Sequence, residues 1–507
     1  MTIFFAPLRL PPPPAQRPES LLTQLLSLTP LQWAFFWTGW LAWTCDAIDF
    51  FSVSLSVPAL AKQFGKETPD ITQAITLTLL FRSVGAVLFG VFSDRFGRKW
   101  PLVFNLLLVA VLELGAGFVQ NFRQFLALRS LFGIGMGGIW GLAASTALEN
   151  LPVGLRGLAS GVLQQGYAVG YLIAAVISLE LVPTVHVGWR ALFWTASGIS
   201  VFGAALRALL PESSMFVKAR LAAESHGVVS EAQKTRVFLR ETGAMLKKHW
   251  ALCVYAVLLM TGFNFLSHGS QDLYPTYMQA TKGFNSHTAT IATIIGNCGA
   301  ISGGGFAGWI SQFLGRRITI VTFTLLTAVF IPLWIIPSTF SGLAAGAFCV
   351  QFGVQGAWGV IPIHLAEMAP PAFRATFPGV AYQLGNMVSS ASAQIEATGG
   401  EHLKTTIKGK VVPDYAKVQG ILIGVVAAFV IFITVIGPEN HGSHFEKHRA
   451  AFDEGGGSDD AWIDDDGVHH ETGRAAHDRD VEAAENEKAS EERSSTEKPA
   501  VSPTTAA

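Results

Sequence analysis

Long apolar stretches alternate with short polar ones along most of this chain. A helix of about 20 mainly apolar residues is enough to cross a bilayer. Stretches of that kind occur at 33–60, 72–93, 101–120, 124–148, 156–181 and 188–210, and then at 250–278, 288–311, 318–337, 341–368, 375–396 and 418–437. The pattern predicts an all-α integral membrane protein with twelve transmembrane helices in two sets of six.

The polar stretches divide the chain into five parts. We expect an N-terminal tail at 1–30, a first six-helix half at 31–210, a central loop at 211–249, a second six-helix half at 250–437 and a disordered tail at 438–507. Lys and Arg are frequent in the central loop, and basic loops stay in the cytoplasm. Both termini are therefore predicted to be cytoplasmic.

An internal repeat relates the two halves. The segment "GVFSDRFGRK" (Gly90 to Lys99) returns as "GWISQFLGRR" (Gly308 to Arg317), a shift of 218 residues. The pair at Trp140 returns at Trp358, and "ENLPVGLR" returns as "EMAPPAFR", with the same shift. The repeat predicts two pseudo-symmetric halves, and transporters built in this way bind their substrate near the midplane.

Composition and missing motifs narrow the function. Half of the residues are hydrophobic and 14% are charged, whereas soluble domains carry about 25% charged residues. The four cysteines form no CxxC pair, and we find no P-loop, HExxH or framed GxSxG motif. We therefore expect no enzyme activity, no cofactor, no metal site and no nucleic-acid partner, so that a solute or ion gradient would supply the energy.

The loop between the second and third helices resembles the signature of the major facilitator superfamily. Its GxxxDRxGRK pattern, the degenerate second copy and the six-plus-six repeat carry the resemblance. It implies a cytoplasmic gate made by Asp94, Arg95, Arg98 and Lys99, although basic residues here also fit plain topology. The second copy has Gln312 and Phe313 where the family has Asp and Arg, which weakens the symmetry of the gate.

Arg82 is predicted to lie deep in the membrane. Helix two enters near Ile71, which places Arg82 about 16 Å from its start. An arginine at that depth is costly unless it faces water or an anion, and its planar guanidinium matches a carboxylate. The alternative is a structural ion pair with Asp46 or Asp49 on helix one. These two carboxyls either carry a proton or neutralise Arg82.

Helix seven continues into the polar segment "NFLSHGSQDLYPT", Asn264 to Thr276. Asn264, His268 and Asp272 share one helical face, with Ser267 and Gln271 beside them. At 1.5 Å per residue, the face spans the outer half of the membrane, and Asp272 reaches the outer mouth about 33 Å in. His268 and Asp272 are i,i+4 neighbours and can hold or release a proton. A plain helix end at Asp272 is the alternative.

The same segment resembles the signature of fungal monocarboxylate–proton symporters, the lactate/pyruvate permeases of the sialate:proton symporter branch. All seven constrained positions of N-x-x-[ST]-H-x-[ST]-Q-D-x-x-x-T are occupied: Asn264, Ser267, His268, Ser270, Gln271, Asp272 and Thr276. The resemblance implies that Asn264, His268, Gln271 and Asp272 lie on the substrate trajectory. It also implies that Arg82 recognises the carboxylate. In our reading of the residues, Arg82 is the one clear intramembrane cation.

Helices five and eleven contribute further polar groups. Gln383 and Asn386 are three residues apart on helix eleven, and Gln165 is the repeat partner of Gln383. We expect all three to approach the central cavity, with interhelical hydrogen bonding as the alternative. Glu113 either pairs with a neighbouring helix or stays protonated. His364 is expected to be an interhelical donor.

These expectations combine into a proton-coupled plasma-membrane symporter for a short-chain monocarboxylate such as lactate, pyruvate or acetate. Its partners would be the carboxylate, protons and the lipid bilayer, with His268, Asp272, Asp46 and Asp49 as candidates for proton coupling. Lysines in the C-terminal tail, such as Lys447, would offer sites for ubiquitination and trafficking machinery. The alternatives are a dicarboxylate–proton symporter for succinate or malate and a carboxylate sensor that does not transport.

Overall fold

The computed structural model describes residues 4–5, 7–11, 20–148, 151–212, 217, 231–374, 376–407, 409–441 and 455–458. Most of these residues are helical, which confirms the predicted fold class. The predicted C-terminal tail, apart from 438–441 and 455–458, lies outside the described residues, and so do the side chains of Asp94 and Arg95.

The first half contains a short helix and six membrane-spanning segments. Its helices are α1 (Leu21–Leu26), α2 (Pro30–Phe64), α3 (Thr68–Phe96), α4 (Lys99–Ala116), α5 (Phe122–Met136), α6 (Ile139–Leu148), α7 (Val153–Gln164), α8 (Gly166–Glu180) and α9 (Arg190–Leu209). The pairs α5–α6 and α7–α8 each form one interrupted span, so that α2 to α9 cross the membrane six times.

The second half repeats this arrangement after the helix α10 (Glu231–Lys248), which lies within the predicted central loop. Its helices are α11 (Trp250–Gln271), α12 (Tyr274–Ala280), α13 (Ser286–Leu314), α14 (Arg316–Ile335), α15 (Phe340–Met368), α16 (Thr376–Ser389), α17 (Ser392–His402) and α18 (Tyr415–Ile436). Here α11–α12 and α16–α17 are the interrupted spans. Strands β1 (Lys404–Ile407) and β2 (Lys410–Pro413) form an antiparallel hairpin that the sequence pattern did not predict.

Ten of the described segments are long and apolar enough to cross a membrane by themselves. The other two spans, α13 and α16–α17, are rich in glycine and small polar residues and lie inside the bundle, where α13 packs on α15 and α16 packs on α3 and α11. Their lower hydropathy therefore reflects contact with protein on most sides.

The N-terminal residues 4–5 meet the end of α18 on one face of the bundle, where the Phe5 amide donates a 2.9 Å hydrogen bond to the Ile436 carbonyl. We call this side the terminal face. The side that carries β1 and β2 is the hairpin face.

A glycine ends the second span of each half at the terminal face. Gly97 and Gly315, which the repeat relates, have φ angles of +102° and +84°. Residues with a side chain rarely adopt such angles, which explains why glycine stands in both copies of the motif. The next helix in each half begins directly after this turn.

A carboxylate from the end of each half binds the helix that follows the turn. Glu212 accepts hydrogen bonds from the backbone amides of Arg98 and Lys99 at 3.0 and 3.1 Å. Glu439 accepts one from the backbone amide of Arg316. Each contact satisfies amides that a helix start leaves free, and it ties the last span of a half to its third span.

The two halves meet along α7 with α13 and α15, and along α3 with α16 and α17. Small residues allow close approach on the terminal side: a Cβ at Gly161 would lie 2.5 Å from the Gly304 carbonyl oxygen. The Ser160 hydroxyl donates to the Gly359 carbonyl at 2.9 Å across the same contact. The halves are therefore tightly closed between the centre and the terminal face.

Candidate functional site

Arg82 and Asp46 form a fully buried ion pair between α3 and α2. Nη2 of Arg82 lies 2.8 Å from Oδ2 of Asp46, and both side chains have no exposed surface. The other two guanidinium nitrogens, Nε and Nη1, have no hydrogen-bond partner among the described residues, and neither has Oδ1 of Asp46. The structural ion pair considered from the sequence is present, but it uses only one of three guanidinium nitrogens.

Aromatic rings surround this pair. The Arg82 guanidinium carbon lies 5.9 Å from the ring centroid of Tyr382 on α16. Tyr382 stacks on Trp140 with ring centroids 4.7 Å apart and meets Trp358 edge-on at 5.6 Å. Trp43 contacts the same tyrosine at 6.0 Å. The repeat-related tryptophans Trp140 and Trp358 thus approach one ring from the two halves and exclude water from the guanidinium.

The polar face of α11 meets α16 through His268. Nδ1 of His268 lies 3.0 Å from Oδ2 of Asp272, and Nε2 lies 3.0 Å from Oδ1 of Asn386. Nδ2 of Asn386 donates to Oε1 of Gln383 at 2.7 Å. Four of the predicted site residues therefore form one hydrogen-bonded chain, in the order Asp272, His268, Asn386 and Gln383.

Which atom of the Gln383 amide lacks a hydrogen-bond partner depends on whether His268 is protonated. If both ring nitrogens of His268 carry protons, they donate to Asp272 and to Oδ1 of Asn386, which matches the amide orientations above. Nε2 of Gln383 then has no partner among the described residues. If His268 loses its proton at Nε2, Asn386 and Gln383 must both turn over to donate toward it, which leaves the Gln383 carbonyl free. A doubly protonated His268 would thus correspond to a free donor at Gln383, and a neutral ring that accepts at Nε2 to a free carbonyl.

Asp272 is buried, not at an open mouth. Its side chain has no exposed surface, and the chain continues through α12 as far as Ala280. The expected location at the outer mouth is therefore wrong. The depth estimate assumed one straight helix that ends soon after Asp272, whereas the span is interrupted there and goes on.

Gln271 and Ser267 point toward α15. Nε2 of Gln271 donates to Oε1 of Gln351 at 2.7 Å, and the Ser267 hydroxyl donates to Oε1 of Gln271 at 3.2 Å. A cavity of about 10 Å³ adjoins Gln271 beside Tyr171 of the other half, which leaves room for about one water molecule. Gln271 thus makes its hydrogen bonds with Ser267 and α15 and not with the His268 chain.

Asn264 and Gln165 make contacts with backbone groups. Nδ2 of Asn264 donates to the carbonyls of Met260 and Tyr382 at 2.8 and 3.2 Å, so that it joins α11 to α16. Nε2 of Gln165 lies 3.5 Å from the Gln355 carbonyl, while its Oε1 has no partner among the described residues. Both amides act across helix boundaries, which for Gln165 is the interhelical alternative considered from the sequence.

A second buried ion pair lies in the first half. Nη1 of Arg129 on α5 lies 2.6 Å from Oε2 of Glu113 on α4, and both side chains are buried. Glu113 therefore pairs with a neighbouring helix. Arg129 is a second intramembrane cation, so the expectation that Arg82 is the one clear cation is wrong.

Asp49 on α2 is a fully buried carboxyl with no ion pair among the described residues. Ser200 on α9 donates to its Oδ2 at 2.8 Å, and its Oδ1 has no partner among the described residues. Charges in such surroundings are unstable unless they are paired. With Asp46 and Glu113 each paired to an arginine, a proton on Asp49 makes this group of five residues neutral.

Comparisons with known proteins identify the family. The family model described as Major Facilitator Superfamily matches residues 8–393. The chain belongs to the major facilitator superfamily. The carboxylic acid transporter protein homolog of Saccharomyces cerevisiae is 35% identical over 436 residues, which cover 82% of this chain and 70% of that protein.

More distant members of the superfamily are also similar. The probable 4-methylmuconolactone transporter of Cupriavidus pinatubonensis is 26% identical and covers 83% of this chain and 93% of its own. Among solved structures, the proton:xylose symporter XylE superposes with a TM-score of 0.64 at 17% identity, over 82% of this chain and 98% of that chain. At that identity the likeness concerns the fold alone. This superfamily member is a multi-pass membrane transporter and not an enzyme.

The superfamily loop motif is described in part. Nη1 of Arg98 donates to the Ser93 carbonyl at 3.0 Å, and Nζ of Lys99 lies 5.1 Å from the Trp100 ring centroid. In the second copy, Arg316 binds both oxygens of Glu367 at 3.0 Å. The interactions predicted for Asp94 and Arg95 lie outside the described residues, so the gate stays a prediction.

His364 and Glu396 are two further buried residues whose surroundings the sequence did not indicate. His364 has no hydrogen-bond partner at either ring nitrogen within the described ranges, so the expected interhelical donor role is wrong. Glu396 on α17 is fully buried and was not singled out from the sequence. It stands at the last residue of the predicted span 375–396, where a carboxyl looks like a helix end, whereas α17 continues to His402.

Proposed function

We propose that this protein is a proton-coupled symporter that imports a short-chain monocarboxylate, such as lactate or pyruvate, across the plasma membrane. Acetate is a further candidate. The observation that carries the proposal is the buried guanidinium of Arg82, which has two unused donors and a single carboxylate partner. The relative from Saccharomyces cerevisiae, named as a carboxylic acid transporter homolog, supports the substrate class.

The geometry of the guanidinium couples the substrate to Asp46. A carboxylate binds arginine most tightly through two parallel hydrogen bonds. Both edges of the guanidinium that offer two parallel N–H groups include Nη2, which donates to Asp46 in this structure. A substrate carboxylate that takes either edge must therefore share Nη2 with Asp46 or displace it.

Displacement of Asp46 creates a requirement for a proton. Asp46 would then be a buried carboxylate without its cation, and an isolated buried charge is costly. A proton on Asp46 removes that charge, so that one carboxylate and one proton enter the site together. Electroneutral loading also removes a cost of about 2.3 kcal/mol for each charge moved against 100 mV.

The protonation state of His268 would determine when the substrate anion binds. When His268 is protonated, Gln383 offers an N–H group next to Tyr382, and this group suits an anion. When His268 is neutral, Gln383 offers a carbonyl, which repels one. We therefore assign His268 and Asp272 to proton coupling. Asn386 and Gln383 would connect them to the substrate, because the group that Gln383 offers changes with the protonation of His268. Asp49 is the remaining candidate proton site.

The other predicted positions complete the proposal. Asn264, Gln271 and Gln165 would contact the substrate as the halves rock, after their present interhelical bonds open. Arg98, Lys99, Asp94 and Arg95 would form the cytoplasmic gate, which makes the terminal face cytoplasmic. The tail lysines Lys447, Lys488 and Lys498, which lie outside the described residues, would serve regulated removal from the surface.

The choice of a monocarboxylate depends on Arg129. A dicarboxylate such as succinate needs a second free cation, and Arg129 is bound to Glu113 at 2.6 Å. A dicarboxylate symporter is the second candidate, because Nε of Arg129 has no partner among the described residues. A carboxylate sensor without transport ranks third, since no observation favours it.

Uptake of labelled lactate tests the proposal. We expect proteoliposomes that contain the protein to accumulate lactate when an inward proton gradient is present. Unlabelled pyruvate should compete, succinate should not, and Arg82→Ala should abolish uptake. Competition mainly by succinate would move the substrate to dicarboxylates. Binding of lactate without any uptake by reconstituted protein would replace the transporter with the sensor.

A further inference from the structure

Glu396 is a fully buried carboxyl in the second half, with a single hydrogen-bond partner. Nε2 of Gln419 on α18 donates to its Oε2 at 2.9 Å. Its other oxygen, Oε1, has no partner in the described part of the chain. No described lysine, arginine or histidine forms an ion pair with it at 4.0 Å or less. A carboxylate is not stable in such surroundings, so this carboxyl holds a proton in the closed conformation.

The orientation of Gln419 is fixed by a tryptophan. Nε1 of Trp334 donates to Oε1 of Gln419 at 3.1 Å, and an indole N–H can only donate. The carbonyl of Gln419 must therefore face Trp334, which turns its NH₂ group toward Glu396. The tryptophan thus provides Glu396 with a donor that stabilises its ionised form, so that the proton can leave.

The free oxygen of Glu396 faces the polar helix of the site. A Cβ built on Gly269 of α11 would lie 3.7 Å from Oε1 of Glu396, and Gly269 follows His268 in the chain. Asp272 on α11 is an electrostatic neighbour of Glu396, and so is Tyr415 on α18. On α3, Thr72 binds Gln394 of α17, and Asp414, which follows β2, donates its backbone amide to the Gly400 carbonyl. The ionisable groups that interact with Glu396 in the described part of the chain, Asp272 and Tyr415, are therefore acidic or phenolic.

A cavity lies on the hairpin face at the start of α18. A cavity of about 570 Å³ is lined by residues of the first two turns of α18, including Lys417 and Gly420, and by Asp414. Gln419, the partner of Glu396, belongs to the same turns but does not line the cavity.

We propose that Glu396 is the proton-loading site of the second half. It takes a proton from water on the hairpin face at Oε1. The O–H bond of Glu396 then breaks and an O–H bond forms at Asp272, while the Glu396 carboxylate is held by the Gln419 amide until water protonates it again. This inference rests on the proton coupling in the proposed function and adds a carboxyl outside the seven-position motif.

The test uses Glu396→Gln, which keeps the shape and the hydrogen bond but cannot carry a proton. The matched control is Glu401→Gln on the same helix, whose carboxylate is part-exposed and near Lys404. In proteoliposomes, we expect lactate exchange at equal pH to stay at the wild-type rate in both variants. Accumulation driven by a proton gradient should fall by roughly a hundredfold in Glu396→Gln alone, the low end of what a positioned proton-transfer group contributes.

A second variant, Trp334→Phe, keeps Glu396 but removes the indole N–H group that orients Gln419. Gln419 is then free to turn its carbonyl toward Glu396. The protonated form is then favoured, so the pH of half-maximal uptake should rise by roughly one unit, a tenfold change in the proton equilibrium. The shift should vanish when Glu396→Gln is also present. A structural role for Glu396 predicts no such shift.

The outcomes separate this inference from the proposed function. Gradient-driven accumulation by Glu396→Gln at the wild-type rate overturns the role of Glu396 and leaves the symporter intact. Loss of exchange together with accumulation in Glu396→Gln, with no pH shift in Trp334→Phe, assigns Glu396 to structure and also overturns it. Wild-type protein that shows no dependence on the gradient overturns the proposed function itself.

Discussion

Phe50 and His268 occupy equivalent positions of the two halves, 218 residues apart, and their rings pack with centroids 5.6 Å apart. The pseudo-symmetry of the fold therefore brings a residue into contact with its own repeat partner. One half supplies an inert ring and the other an ionisable one. The chemistry has become asymmetric, with the guanidinium on the first half and the histidine chain on the second.

Arg82→Lys should abolish most uptake although the charge is kept. Lysine cannot offer two parallel N–H groups, and a hydrogen bond to a charged group contributes about 1.5–3 kcal/mol. Lactate uptake should therefore fall by about 10- to 100-fold in kcat/KM. Arg123→Lys, at an exposed position near the start of α5, is the control and should leave uptake unchanged. Equal uptake by Arg82→Lys would remove the guanidinium from substrate recognition.

Tyr382→Phe and Tyr382→Leu should behave differently. The phenylalanine variant keeps a ring below the Arg82 guanidinium, whereas leucine removes a cation–π contact of about 0.5–2 kcal/mol. We expect KM for lactate to stay near the wild-type value for Phe and to rise by about 2- to 30-fold for Leu. If both variants raise KM equally, the tyrosine hydroxyl, and not the ring, supports the site.

Asn386→Asp should hold the proton on His268. A carboxylate in place of the amide, whose oxygen lies 3.0 Å from Nε2 of His268, can only accept a hydrogen bond and cannot turn over to donate one. The imidazolium would then persist to higher pH, and uptake should continue at alkaline pH where the wild-type protein slows. The pH profile of lactate uptake measures this effect.

Gln394→Glu controls for the added charge in the Asn386→Asp experiment. Gln394 lies on the same interrupted span but contacts Thr72. Its glutamate variant should show the wild-type pH profile. An alkaline shift in both variants would attribute the change to charge in general and not to the His268 chain.

Gly161→Ala should loosen the contact between the halves near the terminal face. Its Cβ would lie 2.5 Å from the Gly304 carbonyl oxygen, and such overpacking costs about 1–3 kcal/mol. The open state toward this face should gain population by about 5- to 100-fold. Alkylation of Ala144→Cys, which lines a small cavity between the halves, reports this opening in a background that has serine at the exposed Cys298.

Gly305→Ala is the matched variant for Gly161→Ala. Gly305 adjoins the contact partner Gly304, but a Cβ there meets nothing within 4 Å. Its alkylation rate should equal that of the parent protein. Faster alkylation in both variants would indicate general destabilisation of α13 and not a wedge between the halves.

Much of this architecture can be predicted from the sequence. Hydropathy shows which stretches can span the membrane, and the 218-residue repeat shows which spans belong to the same half. The length of apolar stretches fixes the spans, and the repeat fixes how they are grouped. The hairpin β1–β2 was missed because it is a short polar connection without a hydrophobic pattern, turned by Gly409 with a φ angle of +77°.

The site was predicted less completely because partners depend on packing between helices. The His268–Asp272 contact is local and follows from i,i+4 spacing, whereas the contacts of His268 with Asn386 and of Arg82 with Tyr382 need the tertiary fold. Arg129 could have been found by the argument applied to Arg82, since it also stands inside an apolar run. Glu396 gave no comparable signal, because it lies where one predicted span ends.

The carboxylates Glu212 and Glu439 bear on how the chain could be divided. Each ties the sixth span of a half to the third span of the same half, so neither contact depends on a covalent link between the halves. If the chain were cut between α9 and α10, each of the two polypeptides would retain the contact between its own sixth and third spans. The fold is thus suited to assembly from two gene fragments, which would meet along the glycine-rich surfaces of α7 and α13.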